Sequence, residues 1–194
     1  QSDEVPEIFR DAKFKGTVYR LDEQVLDPKS LFQCLFDQLS DHMSFYSADQ
    51  LALNSEGNGQ FKIDELSFDA MTIIFTAGEG NEQLLQKAGL KQPFMQRRPL
   101  HMPMVKSSSL PQLTAHALGD GTVPRMTITA NADKAGNVVW YLGGKIAEEG
   151  VSYTADELIQ KAKDELNSLL PWMDWRSMQW STLMINRAEP DGTR

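Results

Sequence analysis

The stretch Met71-Thr-Ile-Ile-Phe-Thr-Ala-Gly-Glu-Gly80 decides how the chain is read. Met71–Phe75 is a continuous apolar run bounded by turn signals, the pattern of a strand buried on both faces, as parallel strands are. Thr76–Gly80 then turns the chain into a short helix over Asn81–Ala88, closed by Gly89. Gly78-Glu-Gly80-Asn-Glu-Gln83 sits where a phosphate-cradling Gly-x-Gly-x-x-Gly would sit. Gln83 replaces the third glycine, Glu79 would face the phosphates with like charge, and no strand with an acidic residue about 20 positions on follows. A plain strand-to-helix turn is the favoured reading, although such a turn can still touch a ligand held by another segment.

Upstream, Gln1–Lys15 reads as a charged lead-in and Gly16–Leu21 as a short strand. Asp27-Pro28 combines a carboxylate N-cap with proline in the first helical turn. Leu31, Phe32, Leu35, Phe36, Leu39 and Met43 recur at helical spacing, predicting a helix of about four turns with one apolar face. Phe45–Leu53 and Gln60–Leu66 flank the glycine-rich segment Asn54–Gly59 and predict a hairpin. Downstream of Pro93 the texture becomes antiparallel, with strands expected over Phe94–Lys106, Leu113–Leu118, Arg125–Ala130 and Val138–Leu142. Thr154-Ala-Asp-Glu157 is a capping box opening a helix that runs to Pro171, and Trp175–Asn186 reads as a last strand. The fold class is therefore α+β, a mixed sheet with helices, and the best seam divides residues 1–92 from 93–194.

The 194 residues carry a net charge of −8, which argues against a nucleic-acid or anionic-membrane surface. No run approaches the roughly 18 apolar residues that a membrane span needs, and the N-terminus has no apolar signal core. One cysteine, Cys34, excludes an internal disulfide and a cysteine-rich metal site, and its place on the apolar helix suggests an inert packing residue. His42, His101 and His116 lack zinc-site spacing, so no metal ligands are assigned. These features describe a soluble, cytoplasmic chain.

No nucleophile–base pair can be argued, so no catalytic residue is assigned. His101 shares a strand face with Pro103 and Val105, either as a hydrogen-bonded rim group or as part of a site lining. Arg97-Arg98 is a solvated pair or a source of a guanidinium for a pocket. Trp172, Trp175 and Trp180 close a core edge or stack a ligand. Arg187, leaving a strand beside a Pro-Asp-Gly turn, forms a surface ion pair or presents its fork to a carboxylate.

Taken in order, several segments resemble the FAD-dependent oxidoreductases of the D-amino-acid oxidase and glycine oxidase type. They are Leu26-Asp-Pro-Lys-Ser-Leu31, Phe68–Gly78, Leu84-Leu85 with Gly89-Leu90 and Pro93, Arg97-Arg-Pro-Leu-His101, Val139-Trp-Tyr-Leu-Gly-Gly144, and Trp180 with Arg187-Ala-Glu-Pro-Asp-Gly192. The resemblance runs from about Gly16 to Gly192; the ordered set is moderately specific and no single member is. It implies part of an FAD-binding domain over residues 1–92 and an antiparallel-sheet substrate domain over 93–194. It further implies that Arg187 pairs with a substrate carboxylate, that His101 lines the substrate pocket, and that Ala77 and Gly78 neighbour FAD. Ala52 would lie near the adenine. The substrate would be an amino acid or related amine, giving hydride from its α-carbon to the flavin, which requires no general base.

The departures are equally informative. The family's opening strand–Gly-x-Gly-x-x-Gly–helix unit has no counterpart before Gly16, Glu79 replaces a small residue, and Arg98-Pro99-Leu100 stands where Arg-Gly-Gln is common. The expectation is an internal portion of a flavoenzyme that alone binds FAD weakly or not at all. The competing expectation is a non-catalytic module for binding a small ligand or a protein partner on a similar fold.

Overall fold

The computed structural model describes residues 5–47, 51–53, 60–119, 121 and 123–192. The chain divides into two compact units, Gln1–Gln24 with Pro99–Ile185, and Val25–Arg98 with Asn186–Arg194. Both are discontinuous in sequence, whereas the seam read from composition separates consecutive halves at 92/93.

The hydrophobic core belongs to the first unit. Its framework is a five-stranded sheet of β4 (Met95–Ser107), β5 (Thr114–Ala117), β6 (Met126–Ala132), β7 (Val138–Gly143) and β8 (Gln179–Pro190), in the order β5-β6-β7-β4-β8. The β5–β6, β6–β7 and β4–β7 pairs are antiparallel. Alternation along the strands sends Val105, Ile128, Trp140 and Leu142 to one face, where they pack with Ala162, Leu166 and Leu170. Ala162 and Leu166 lie on α4 (Ala155–Leu169), whose N-terminus is the expected capping box. Thr154 accepts the Glu157 N–H, and the Glu157 carboxylate accepts the Thr154 N–H at 2.9 Å. Ile8, Phe9 and Phe14 from the lead-in also pack on this core.

In the second unit, α1 (Pro28–Leu39) starts at the Asp27 cap, whose carboxylate accepts the N–H groups of Lys29 and Ser30. β1 (Leu51–Leu53), β2 (Gln60–Ile63) and β3 (Leu66–Asp69) form a three-stranded antiparallel sheet. Asn54–Gly59, the expected first turn, lies outside the described residues. α2 (Asn81–Lys87) ends at Gly89, whose φ of 70° lets Leu90 N–H reach Leu85 O and its own N–H reach Gln86 O.

The α+β class stands, but several element readings change. Gly16–Leu21 forms no strand. Met71–Phe75 is not a strand either: Met71 and Ile74 are exposed, because no described strand supplies the ladder partners that an apolar run needs. The last strand begins at Gln179 rather than Trp175 and runs to Pro190. A short helix, α3 (Lys145–Gly150), follows β7 through Gly144, whose φ is 78°. A Cβ there would stand 2.8 Å from Pro124 O, so only glycine fits the turn. No described helix is long and apolar enough to cross a membrane.

Candidate functional site

Four of the five sequence-predicted positions, Ala52, Ala77, Gly78 and Arg187, lie in the second unit. The chain reaches α2 through Ala77 and a single 3-10 turn over Gly78–Gly80. Asn81 fixes this entry: its side-chain oxygen accepts the Ala77 N–H at 2.7 Å and its amide donates to Phe75 O at 3.2 Å. Gly78 has a φ of 55°, and a Cβ there would meet no atom within 4 Å. Its freedom thus serves the turn, and the space beside its Cα is open. At the other end of α2, Lys87 Nζ donates to Leu51 O at 3.3 Å, beside Ala52 in β1. Ala52 and the Ala77–Gly78 pair are therefore tied to opposite ends of a helix about 10 Å long.

Glu79 does not stand as a lone charge. Arg97 donates through Nε to Glu79 at 2.7 Å and through Nη2 to Glu82 at 2.8 Å. These two hydrogen bonds, the Glu79 bond foremost, raise the Arg97 pKa above its already high value. The like-charge objection to an anion beside Gly78 is correspondingly weaker, and the turn is anchored to the start of β4.

Arg187 lies near the end of β8. Its Nε is 2.9 Å from Glu189 Oε1 and buried, but the angle is too poor for a hydrogen bond. Glu189 Oε2 also accepts from Arg98 Nη1 at 3.4 Å. Asp191 N–H donates to Phe94 O at 2.8 Å and ties the Pro-Asp-Gly turn to the approach to β4. The arrangement is one carboxylate between two guanidiniums, partly shielded from water, with a local excess of positive charge. Such a cluster suits a carboxylate ligand. Arg98 is the member that residue spacing left undecided; its partner is 91 positions away, beyond any local pattern.

His101 belongs to the first unit. It is 7% exposed, on the β4 face that carries Val105, with Nδ1 3.1 Å from Gly150 O. The shared face with Pro103 and Val105 was legible, but it is the core face. Sequence reading gave no weight to the opposite face, where the register aligns Thr114, Thr129, Tyr141 and Met104 across four strands. Strand alternation was the signal that could have found that row. On the same face His116 Nδ1 lies 3.1 Å from Thr127 Oγ1.

The tryptophans close the core edge. Trp175 Nε1 donates to Leu170 O, Trp180 Nε1 donates to Trp175 O, and Trp172 packs edge-on against Phe14. Cys34 is exposed rather than packed, as is every residue of α1, because nothing described covers that helix. Among the described residues no group of His, Cys, Asp and Glu is arranged to hold a metal ion. A groove of about 230 Å³ lined by Glu82, Leu85, Gln86, Leu90, Lys91, Pro93 and Phe94 contains none of the predicted site residues.

No family model matches this chain. It is 42% identical over 193 residues to the probable FAD-dependent oxidoreductase PA4991 of Pseudomonas aeruginosa, covering 98% of this chain and 49% of that protein. The crystal structure of that FAD-dependent oxidoreductase superposes with a TM-score of 0.90 over 99% of this chain and 53% of the crystal chain. The likeness thus extends over nearly the whole chain, which spans about half the length of the FAD-dependent oxidoreductase it matches.

Proposed function

We propose that this chain forms part of an FAD-dependent oxidoreductase acting on an amino acid or related amine, with Arg187 holding the substrate carboxylate. The observation that carries the family is the likeness, along nearly the whole chain, to half of the Pseudomonas FAD-dependent oxidoreductase. The substrate class rests on the arginine pair around Glu189 and on the ordered resemblance to D-amino-acid and glycine oxidases. When bound, FAD supplies the acceptor for the substrate hydride. The chain's own residues bind and orient. In this reading Arg187, ion-paired with Glu189, offers its guanidinium to the carboxylate, and Arg98 adds a second positive charge.

Ala77 and Gly78 fit a backbone neighbour of the cofactor, since the space where a Gly78 side chain would stand is open and Asn81 holds the turn. Ala52 offers a small side chain on β1. His101, 7% exposed with Nδ1 3.1 Å from Gly150 O, is the further position that the resemblance assigns to the substrate pocket.

The test uses a chimera in which these 194 residues replace the matched half of the Pseudomonas protein. The FAD-loaded chimera is mixed without oxygen with amino acids, N-methyl amino acids and simple amines. Bleaching of the visible flavin absorbance by the carboxylate-bearing amines supports the reading. A chimera that retains FAD yet is bleached by none of them contradicts it.

A further inference from the structure

Consecutive residues of a strand point to opposite faces, and near its start β4 carries two arginines that divide their work accordingly. Arg98 reaches Glu189, beside Arg187, at 3.4 Å. Arg97 instead grips the entry to α2, donating through Nε to Glu79 at 2.7 Å and through Nη2 to Glu82 at 2.8 Å. Glu79 belongs to the 3-10 turn that starts at Gly78, and Glu82 to the first turn of α2. Asn81 holds the near side of this turn through Ala77 and Phe75, so Arg97 is its second anchor.

The bridge is half-exposed, 45% at Arg97 and 47% at Glu79, and ion pairs in that setting add little to stability. What Arg97 offers is a planar fork that meets two carboxylates at once, and a positive charge. Without it, Glu79 and Glu82 would leave two uncompensated negative charges next to Gly78. FAD carries anionic phosphates and takes up electrons on reduction, and bare carboxylates oppose both.

We propose that Arg97 is a positioning residue for the cofactor, drawing the Glu79 and Glu82 carboxylates onto β4 and offsetting their charge so that the Gly78 backbone can lie beside FAD. The inference rests on the reading above that places Ala77 and Gly78 next to the flavin.

The test compares the chimera with its Arg97→Met and Arg97→Lys variants and with the triple variant Glu79→Gln, Glu82→Gln, Arg97→Met. Flavin fluorescence titration gives the FAD dissociation constant, and equilibration with redox dyes gives the midpoint potential. Arg97→Met should weaken FAD binding by about tenfold at low salt, less at high salt, and shift the potential to more negative values. The melting temperature of the FAD-free chimera should barely move. Arg97→Lys should restore the potential, because it returns the charge, and only part of the affinity, because it lacks the fork. The triple variant has no charge left to offset and should return the potential to that of the parent. Lys145→Met, which breaks an exposed pair with Glu149, is the control and should change neither quantity.

Parent affinity and potential in Arg97→Met overturn the proposal. So does a shift in potential that the triple variant does not reverse, which marks Arg97 as structural only. A folded parent chimera that binds no FAD removes the flavin reading and this proposal with it, whereas FAD retained with no effect of Arg97 removes this proposal alone. If the chimera does not fold, hydrogen exchange of the Gly80 N–H, bonded to Ala77 O at 2.9 Å, decides in the 194-residue chain. Faster exchange in Arg97→Met supports the anchoring, and unchanged exchange overturns it.

Discussion

Arg187 Nε lies 2.9 Å from Glu189 Oε1, and the same carboxylate reaches Arg98 through its other oxygen at 3.4 Å. Glu189 therefore holds two guanidiniums in one place without neutralising both. Glu189→Gln keeps the shape and removes the charge that aligns Arg187. In the full-length chimera KM for an amino acid should rise by about tenfold, with kcat changed by less than about twofold. Steady-state kinetics read both; a fall in kcat at constant KM would remove Glu189 from substrate positioning.

A second relationship concerns packing. A Cβ on Gly150 would stand 2.5 Å from His101 O and about 3 Å from the Leu158 methyl groups. The obstruction on one side is backbone, which cannot rotate away. Gly150→Ala should destabilise the 194-residue chain by about 1–3 kcal/mol in urea unfolding. Gly121→Ala serves as control, since Gly121 likewise lacks a positive φ and nothing lies within 4 Å of a Cβ there. Equal losses at both positions would mean that the close approach to His101 O does not set the cost.

Asp133 gives a pH dependence. Its carboxylate accepts from Lys106 Nζ at 2.9 Å, and from Asn137 and the Ala135 N–H as well, which hold its pKa well below the ordinary carboxylate value. In the unfolded chain this group takes up a proton near pH 4, while in the native chain it does not. The unfolded state then binds more protons, so stability present above about pH 5 is lost as the pH falls toward the native value. Asp133→Asn should be less stable than the parent at pH 7, and the difference should shrink by pH 3. Urea midpoints across that range check the slope; a constant difference would mean that the Lys106 pair contributes nothing through charge.

Much of the local structure is legible because its causes are local. The Thr154–Glu157 box, the Asp27-Pro28 start and the Gly89 stop each satisfy orphaned backbone groups with neighbours a few residues away. The Asn131–Asn137 turn has the same character, built on Asp133. Expectations failed where the deciding partner is distant. Met71–Phe75 has the composition of a buried strand, but strands form only on a ladder, and no described strand provides one. The face that His101 shares with Pro103 and Val105 was legible, but not that it is the one packed with α4, whose residues lie some 60 positions on. α3 has only 6 residues and no apolar period to announce it; Gly144 was the sole cue.

The candidate site is legible in part for the same reason. The Pro-Asp-Gly turn and the arginine before it stand out in sequence. The identity of Arg98 as the second guanidinium emerges only when β8 returns beside β4.

The central claim is that Arg187 recognises the carboxylate of an amine substrate. It is tested most directly by comparing an amino acid with the amine that lacks its carboxylate, using the chimera and its Arg187→Ala variant. The account predicts that kcat/KM favours the amino acid in the parent, and that Arg187→Ala lowers its kcat/KM by about 10–100-fold, mainly through KM. The amine should be little affected, so that the preference collapses. A preference for the amino acid that survives intact in Arg187→Ala would contradict the account and move carboxylate recognition to other residues.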